Sequence, residues 1–247
     1  MTEPYVFTGT ILPERAPITL QFSAGFRHFH SGVEGTARVS IVLNQLAVHV
    51  STEHEWDIFD LRNVVLSLVQ GQLAMVGYLL GHAYEVQLAR AISLSRGIDR
   101  VFGIDVPCVS GRCAAEHIDA SLAELRILAS GENGIYISRC FEDLRLAMKN
   151  ADDTAFYCYR ALESLRHHCA LLSGQPDADK KVQWELFRKA AACEESSIRA
   201  IKSEADPLRH GAINPNQHDR AGILTVTWDI VGAYVKNAAS GFNASVA

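Results

Sequence analysis

The longest stretch without a charged side chain runs from Asn63 to Tyr84, and it restricts the possible folds more than any other segment. A helix of this length would be long enough to cross a bilayer. Polar Gln70, Gln72 and His82 interrupt the stretch, however, and a strand-like segment follows it immediately. This context favours a helix buried against a sheet, so we expect a soluble protein that does not associate with membranes.

Strand patterns lie on both sides of that helix. Apolar and polar residues alternate over residues 18–23 and 46–51, and the apolar residues from Tyr84 to Leu94 share one parity that only Arg90 breaks. Asp57 stands at the N-cap position of the helix, which we expect to end near Leu80. Residues 1–110 are therefore predicted to form an α+β domain of mixed strands and helix.

The remaining residues, 111–247, show the spacing of apolar residues that is typical of helices. We predict helices over residues 114–130, 135–173, 179–204 and 218–239. Turns or breaks are expected at Gly174 to Asp177 and at Asp206-Pro207. Helices that are joined by short turns and carry apolar stripes pack as an antiparallel bundle, so the predicted fold class is α+β with a helical bundle as the second domain.

Charge and cysteine content narrow the classes of function. The net charge of -5 does not indicate the basic surface that general nucleic-acid binding requires, so we expect any contact with RNA to be local. Six cysteines occur without an N-terminal secretory signal, which favours reduced thiols in the cytoplasm. Cys108, Cys113 and His117 have a spacing that three zinc ligands can adopt, but a second ligand pair is missing. Free thiols are the commoner explanation, and we predict neither a metal nor a cofactor.

Two short segments of the helical half resemble the HEPN superfamily, whose members are helical bundles of prokaryotic toxins and antiviral proteins. The resemblance covers about residues 139–239. It implies a metal-independent ribonuclease of defence or toxin type, in which a homodimer brings two copies of an arginine and a histidine to the scissile phosphate. The segments are Tyr159-Arg160-Ala161-Leu162-Glu163-Ser164-Leu165 and Asp206-Pro207-Leu208-Arg209-His210-Gly211.

On this resemblance, Arg209 and His210 are the candidate catalytic pair. Arginine binds phosphate oxygens in a bidentate manner, and histidine moves protons near neutral pH. Glu163 and Arg160 are the further catalytic candidates from the first segment. The remaining candidates, Arg166 and His167, lie on the same helix and are predicted to bind RNA.

A second hypothesis needs no catalysis. HEPN ribonucleases separate the arginine from the histidine by several residues, whereas Arg209 and His210 are adjacent here. The bundle would then be an interaction or ligand-sensing module with a degenerate site, and the N-terminal domain would bind a protein partner. The positions of the two side chains distinguish these hypotheses, because a catalytic pair must reach solvent near Glu163 or Arg160.

Overall fold

The computed structural model describes residues 3–27, 34–103, 106–110, 112, 118–212 and 219–242. The chain divides into two compact units, Met1–Ile104 and Asp105–Ala247. The described elements of the first unit are strands and one helix, and those of the second unit are all helices. The predicted α+β fold class is therefore confirmed.

The described part of the first unit contains one six-stranded antiparallel sheet with strand order β2-β3-β4-β1-β5-β6. One face of this sheet is buried and the other is largely polar, as expected for strands that alternate in sequence. The elements are β1 (Glu3–Leu12), β2 (Leu20–Arg27), β3 (Glu34–Val42), β4 (Gln45–Thr52), α1 (Ile58–Leu80), β5 (Glu85–Ser93) and β6 (Ile98–Val101).

Helix α1 begins as predicted, because the Asp57 carboxylate accepts hydrogen bonds from the backbone N–H groups of Phe59 (2.8 Å) and Asp60 (3.1 Å). It ends at Gly81, which adopts the left-handed conformation with φ of 67°. Only one line of side chains is buried, on the side of the helix that faces the sheet. A helix that packs on a single sheet buries only one stripe. The buried residues are Leu61, Val65, Val69, Leu73 and Gly77.

By length and composition alone, α1 also meets the criterion for a membrane span, which is weak evidence because core helices meet the same criterion. Its polar contacts tie it to the sheet. The Gln70 side chain donates to the carbonyl of Tyr84 and accepts from the N–H of Val86, both at 3.0 Å. These contacts join the helix to the segment that leads into β5.

The parity predicted for the strand after α1 is wrong beyond Leu88. Thr8 pairs with Arg90 while Gly9 pairs with Leu88, so Ala89 is an extra residue that forms a β-bulge. The bulge reverses the parity, and Leu94 is 91% exposed in consequence. Sequence periodicity cannot reveal such a shift, because the bulge depends on the pairing with β1.

The second unit is built around one central helix, α4, which packs against α3, α5, α6 and α7. Its aliphatic, aromatic and cysteine side chains form the core of the unit. The described helices are α2 (Ile118–Ser130), α3 (Gly134–Lys149), α4 (Thr154–Leu172), α5 (Lys180–Ala190), α6 (Glu195–Arg209) and α7 (Arg220–Ala239).

Tertiary contacts interrupt two segments that were each predicted as one helix. The segment 135–173 divides after Lys149, where Arg220 of α7 donates to the carbonyl of Met148 (2.7 Å) and to the hydroxyl of Thr154 (2.9 Å). The segment 179–204 divides at residues 191–194, where the side chain of Asn237 donates to the carbonyl of Ala190 at 2.8 Å. In both cases a distant side chain satisfies a helix end.

The predicted break at Asp206-Pro207 is also wrong, because α6 continues to Arg209. Pro207 lies in the last turn of the helix, where the loss of one backbone hydrogen bond is tolerated.

Helix α1 gives a direct test of the one-sided packing. Leu73→Ala should lower the free energy of unfolding by about 2–5 kcal/mol, because Leu73 is fully buried against the sheet. The matched control Leu79→Ala lies on the exposed face and should change it by less than about 0.5 kcal/mol. Urea denaturation followed by circular dichroism would measure both, and equal effects would contradict the packing.

A buried histidine gives the second unit a pH dependence. His168 of α4 and Tyr234 of α7 are both buried, and Nδ1 and the phenol oxygen share a hydrogen bond of 2.7 Å. Burial lowers the pKa of His168 below its usual value of 6.5. As pH falls below 6.5, the unfolded chain takes up a proton that the folded chain refuses, so the stability contributed by neutral His168 is progressively lost.

We therefore expect His168→Gln to reduce the loss of unfolding free energy between about pH 7.5 and pH 5.5. The exposed His54→Gln should leave that loss unchanged. Denaturant titrations at the two pH values measure the difference, and an identical pH slope for the wild-type protein and His168→Gln would refute the assignment.

Candidate functional site

A polar cluster forms between the middle of α4 and the C-terminal end of α6. Tyr159, Glu163 and Arg166 recur on α4 at spacings of four and three residues, which places them on one side of the helix. Asp206 and Arg209 come from the last turn of α6. The charges of Glu163, Asp206, Arg166 and Arg209 all act on the pKa of Tyr159, so these groups lie within electrostatic range of its phenol. We call these five residues the Tyr159 cluster.

The Tyr159 hydroxyl can act as a hydrogen-bond donor in this setting. Burial, followed by the nearby carboxylates of Glu163 and Asp206, raises the pKa of its phenol to about 12. Its ring stacks on Trp184 of α5 with ring centroids 5.9 Å apart, which fixes the orientation of the side chain. At neutral pH the hydroxyl therefore keeps its proton and can donate a hydrogen bond.

Arg166 is 2% exposed, an unusual position for a cation. Its guanidinium donates to Gln183 Oε1 at 3.0 Å and lies over the ring of Trp184. Within the part of the chain that the structure describes, no carboxylate lies within 4.0 Å of it. Burial lowers the pKa of Arg166, and the nearby charge of Glu163 acts in the opposite direction. Neighbouring side chains therefore shield Arg166 almost completely from solvent.

His167 is one such neighbour, and it is exposed. Arg166 Nη2 lies 2.8 Å from His167 Nε2, and because a guanidinium can only donate, Nε2 must be the acceptor. The proton of the neutral ring then sits on Nδ1. Burial, followed by the positive charge of Arg166, lowers the pKa of His167, so the ring is uncharged at pH 7.

The proposed catalytic pair lies at the C-terminal end of α6. Arg209 is the last residue of the helix and His210 its C-cap, and both are exposed. Among the described residues, no carboxylate comes within 4.0 Å of Arg209. The partial negative charge of the helix C-terminus favours cations at this position. Arg209 thus joins the Tyr159 cluster and can still reach a ligand.

Arg160, the remaining catalytic candidate, faces a different helix. Its guanidinium donates two hydrogen bonds to Oδ1 of the buried Asp143 on α3, one of them at 2.8 Å from Nε. It also lies over the rings of Phe156 and Tyr157. Its charged partner is therefore on α3, whereas the Tyr159 cluster faces α6. The two further catalytic candidates, Arg160 and Glu163, therefore have different surroundings.

The structure describes only one of the three candidate metal ligands. Cys108 packs at the edge of the core, while Cys113 and His117 lie outside the described residues. Among the residues that are described, no group of three histidine, cysteine, aspartate or glutamate side chains is arranged to hold a metal ion.

Sequence reasoning missed several parts of the site. Tyr159 stood in a segment that carried the family resemblance, but its tyrosine attracted no functional interpretation. Trp184, Gln183 and Asp206 come from other helices, and no spacing along the chain links them to α4. The one available signal was the four-residue interval between Tyr159 and Glu163.

Fold and site together define a two-domain α+β protein whose helical domain carries an exposed arginine and histidine. Residues 5–102 match the family model for the DUF8168 N-terminal domain, and residues 122–239 match the model for its C-terminal domain. Both are described as domains of unknown function, and together they span most of the chain, which therefore belongs to the DUF8168 family. No curated protein and no solved structure matches it.

The Arg160 ion pair predicts a structural role that mutation can test. Arg160→Ala should lower the free energy of unfolding by about 1–3 kcal/mol, because it leaves a buried carboxylate without its partner. Adding Asp143→Asn should restore part of the loss, since the amide carries no charge. Thermal or denaturant unfolding measures both, and an Arg160→Ala protein of unchanged stability would rule out this role.

Proposed function

We propose that this protein is a HEPN-like endoribonuclease of prokaryotic defence or toxin type, which acts in the cytoplasm without a metal or cofactor. The observation that carries the proposal is the position of Arg209. Its side chain is exposed, belongs to the Tyr159 cluster and is followed directly by the exposed His210. A pair that is exposed in this way can contact a ligand, whereas a pair buried in the core cannot.

The chemistry assigned to each residue follows from its surroundings. Arg209 binds the oxygens of the scissile phosphate and stabilises the charge that develops there. His210 transfers a proton to or from a ribose hydroxyl or the leaving oxygen. Tyr159 donates a hydrogen bond, since its high pKa keeps it protonated. Glu163 lies beside them and orients the donors.

The proposal includes a homodimer and a sensing domain. One chain supplies one arginine and histidine pair, and the second copy in the dimer supplies the second pair. The N-terminal unit would recognise a protein partner or ligand that controls the nuclease. The free buried thiols of Cys140, Cys158 and Cys169 are compatible with a reducing cytoplasm.

RNA cleavage in the presence of EDTA tests the proposal. We expect the purified chain to cut a pool of cellular RNAs in excess EDTA, and Arg209→Ala/His210→Ala to lose at least about 100-fold in rate. The matched control is Arg199→Ala/His54→Ala, which removes an exposed arginine from the same helix and an exposed histidine from the first unit. Gel analysis of the products gives the rates.

Two results would end the nuclease hypothesis. One is the absence of cleavage by the wild-type chain under all conditions, and the other is equal cleavage by the double mutant and the control. The second candidate function would then apply, in which the helical unit is a non-catalytic interaction or ligand-sensing module. The adjacency of Arg209 and His210 favours that candidate, because the helix dipole alone stabilises both residues there.

A further inference from the structure

A stacked pair of rings lies on the α3 side of the second unit. Tyr136 of α3 and His167 of α4 have ring centroids 5.8 Å apart and planes inclined by 24°. His167 is exposed and Tyr136 is half-buried, so the pair forms part of the surface. Flat side chains at a surface are the groups on which unpaired nucleobases stack.

Cationic side chains flank the stacked pair. Arg139 of α3 and Lys180 of α5 are exposed, and both lie near enough to His167 to lower its pKa. Glu163 acts in the opposite direction from one turn away on α4. The surface therefore combines a neutral aromatic patch with two cations, although the whole chain carries a net charge of -5. Phosphate groups are the complementary ligand for such cations.

Arg166 determines how His167 is presented. Its Nη2 occupies His167 Nε2, so the ring cannot rotate freely and its Nδ1–H remains as a hydrogen-bond donor. Gln183 anchors the same guanidinium at 3.0 Å and is itself held by the carbonyls of Pro176 (2.8 Å) and Ala178 (3.0 Å). This chain of contacts joins α4 to α5 and to the turn before it, and it fixes the position of the guanidinium. Arg166 is a positioning residue for His167.

We infer that Tyr136, Arg139, His167 and Lys180 form a binding site for an unpaired nucleobase and its adjoining phosphate, with Arg166 holding His167 in place. The inference rests on the proposed function and specifies its substrate as single-stranded RNA. His167 lies two turns along α4 from Tyr159, roughly 12 Å away at 1.5 Å per residue. A strand that crosses this surface can therefore extend to the Arg209 site.

The test is binding of fluorescein-labelled single-stranded oligoribonucleotides in EDTA, followed by anisotropy, beside the same sequence in a duplex. We expect the single strand to bind more tightly. Tyr136→Leu and His167→Ala should each weaken binding by roughly 5- to 100-fold, the effect expected on loss of one stacked base. The matched control Tyr78→Leu removes an exposed tyrosine from α1 in the first unit and should change binding by less than about twofold.

A second measurement probes Arg166 without RNA. Nitrogen NMR of the full chain should show His167 as the Nδ1-protonated tautomer at pH 7, and Arg166→Lys should mix the two tautomers. Unchanged binding by Tyr136→Leu, preference for duplex, or a Nε2-protonated His167 would each overturn the inference. Cleavage is measured separately from binding. Loss of cleavage in Arg209→Ala/His210→Ala, with single-strand binding unchanged, supports the proposed function and leaves this inference unaffected. Cleavage that persists with unchanged binding by Tyr136→Leu refutes only this inference.

Discussion

The burial of α4 on most of its faces is the constraint on which the second unit depends. Twelve of its nineteen residues are buried, and four other helices pack around it. A helix in such a position can carry polar residues only where neighbouring helices satisfy them. His168 therefore contacts Tyr234 of α7, and Arg166 contacts Gln183 of α5. This requirement determines which partners hold the polar residues of α4.

The same constraint separates arginines that look equivalent in the sequence. Arg160 is held by a buried carboxylate, and Arg166 is held by an amide and an indole ring, so both guanidinium groups already have partners within the helical unit. Arg209 lies at a helix end, where it is exposed and near the Tyr159 cluster. The proposed nuclease site is consequently small and local, which agrees with the net charge of -5 on the chain.

The two proposals assign different tasks to neighbouring surfaces. Arg209 and His210 would act on the phosphate, whereas Tyr136 and His167 would hold a base nearby. Both tasks use an imidazole, and burial together with the charge of Arg166 lowers the pKa of the one on His167. Membership of the DUF8168 family fixes neither task, because function depends on the site and not on the fold.

Much of the fold was determined locally and could be predicted from the sequence. Alternation predicted strands, the Asp57 cap predicted the start of α1, and apolar spacing predicted a helical second half, since each signal arises from residues that are close along the chain. The bulge at Ala89, the helix ends at Lys149 and Ala190, and the partners of Arg160 and Arg166 were decided only by tertiary structure. Each depends on a side chain or strand that is remote in sequence, and no local pattern records which distant group will satisfy a buried charge or a helix end.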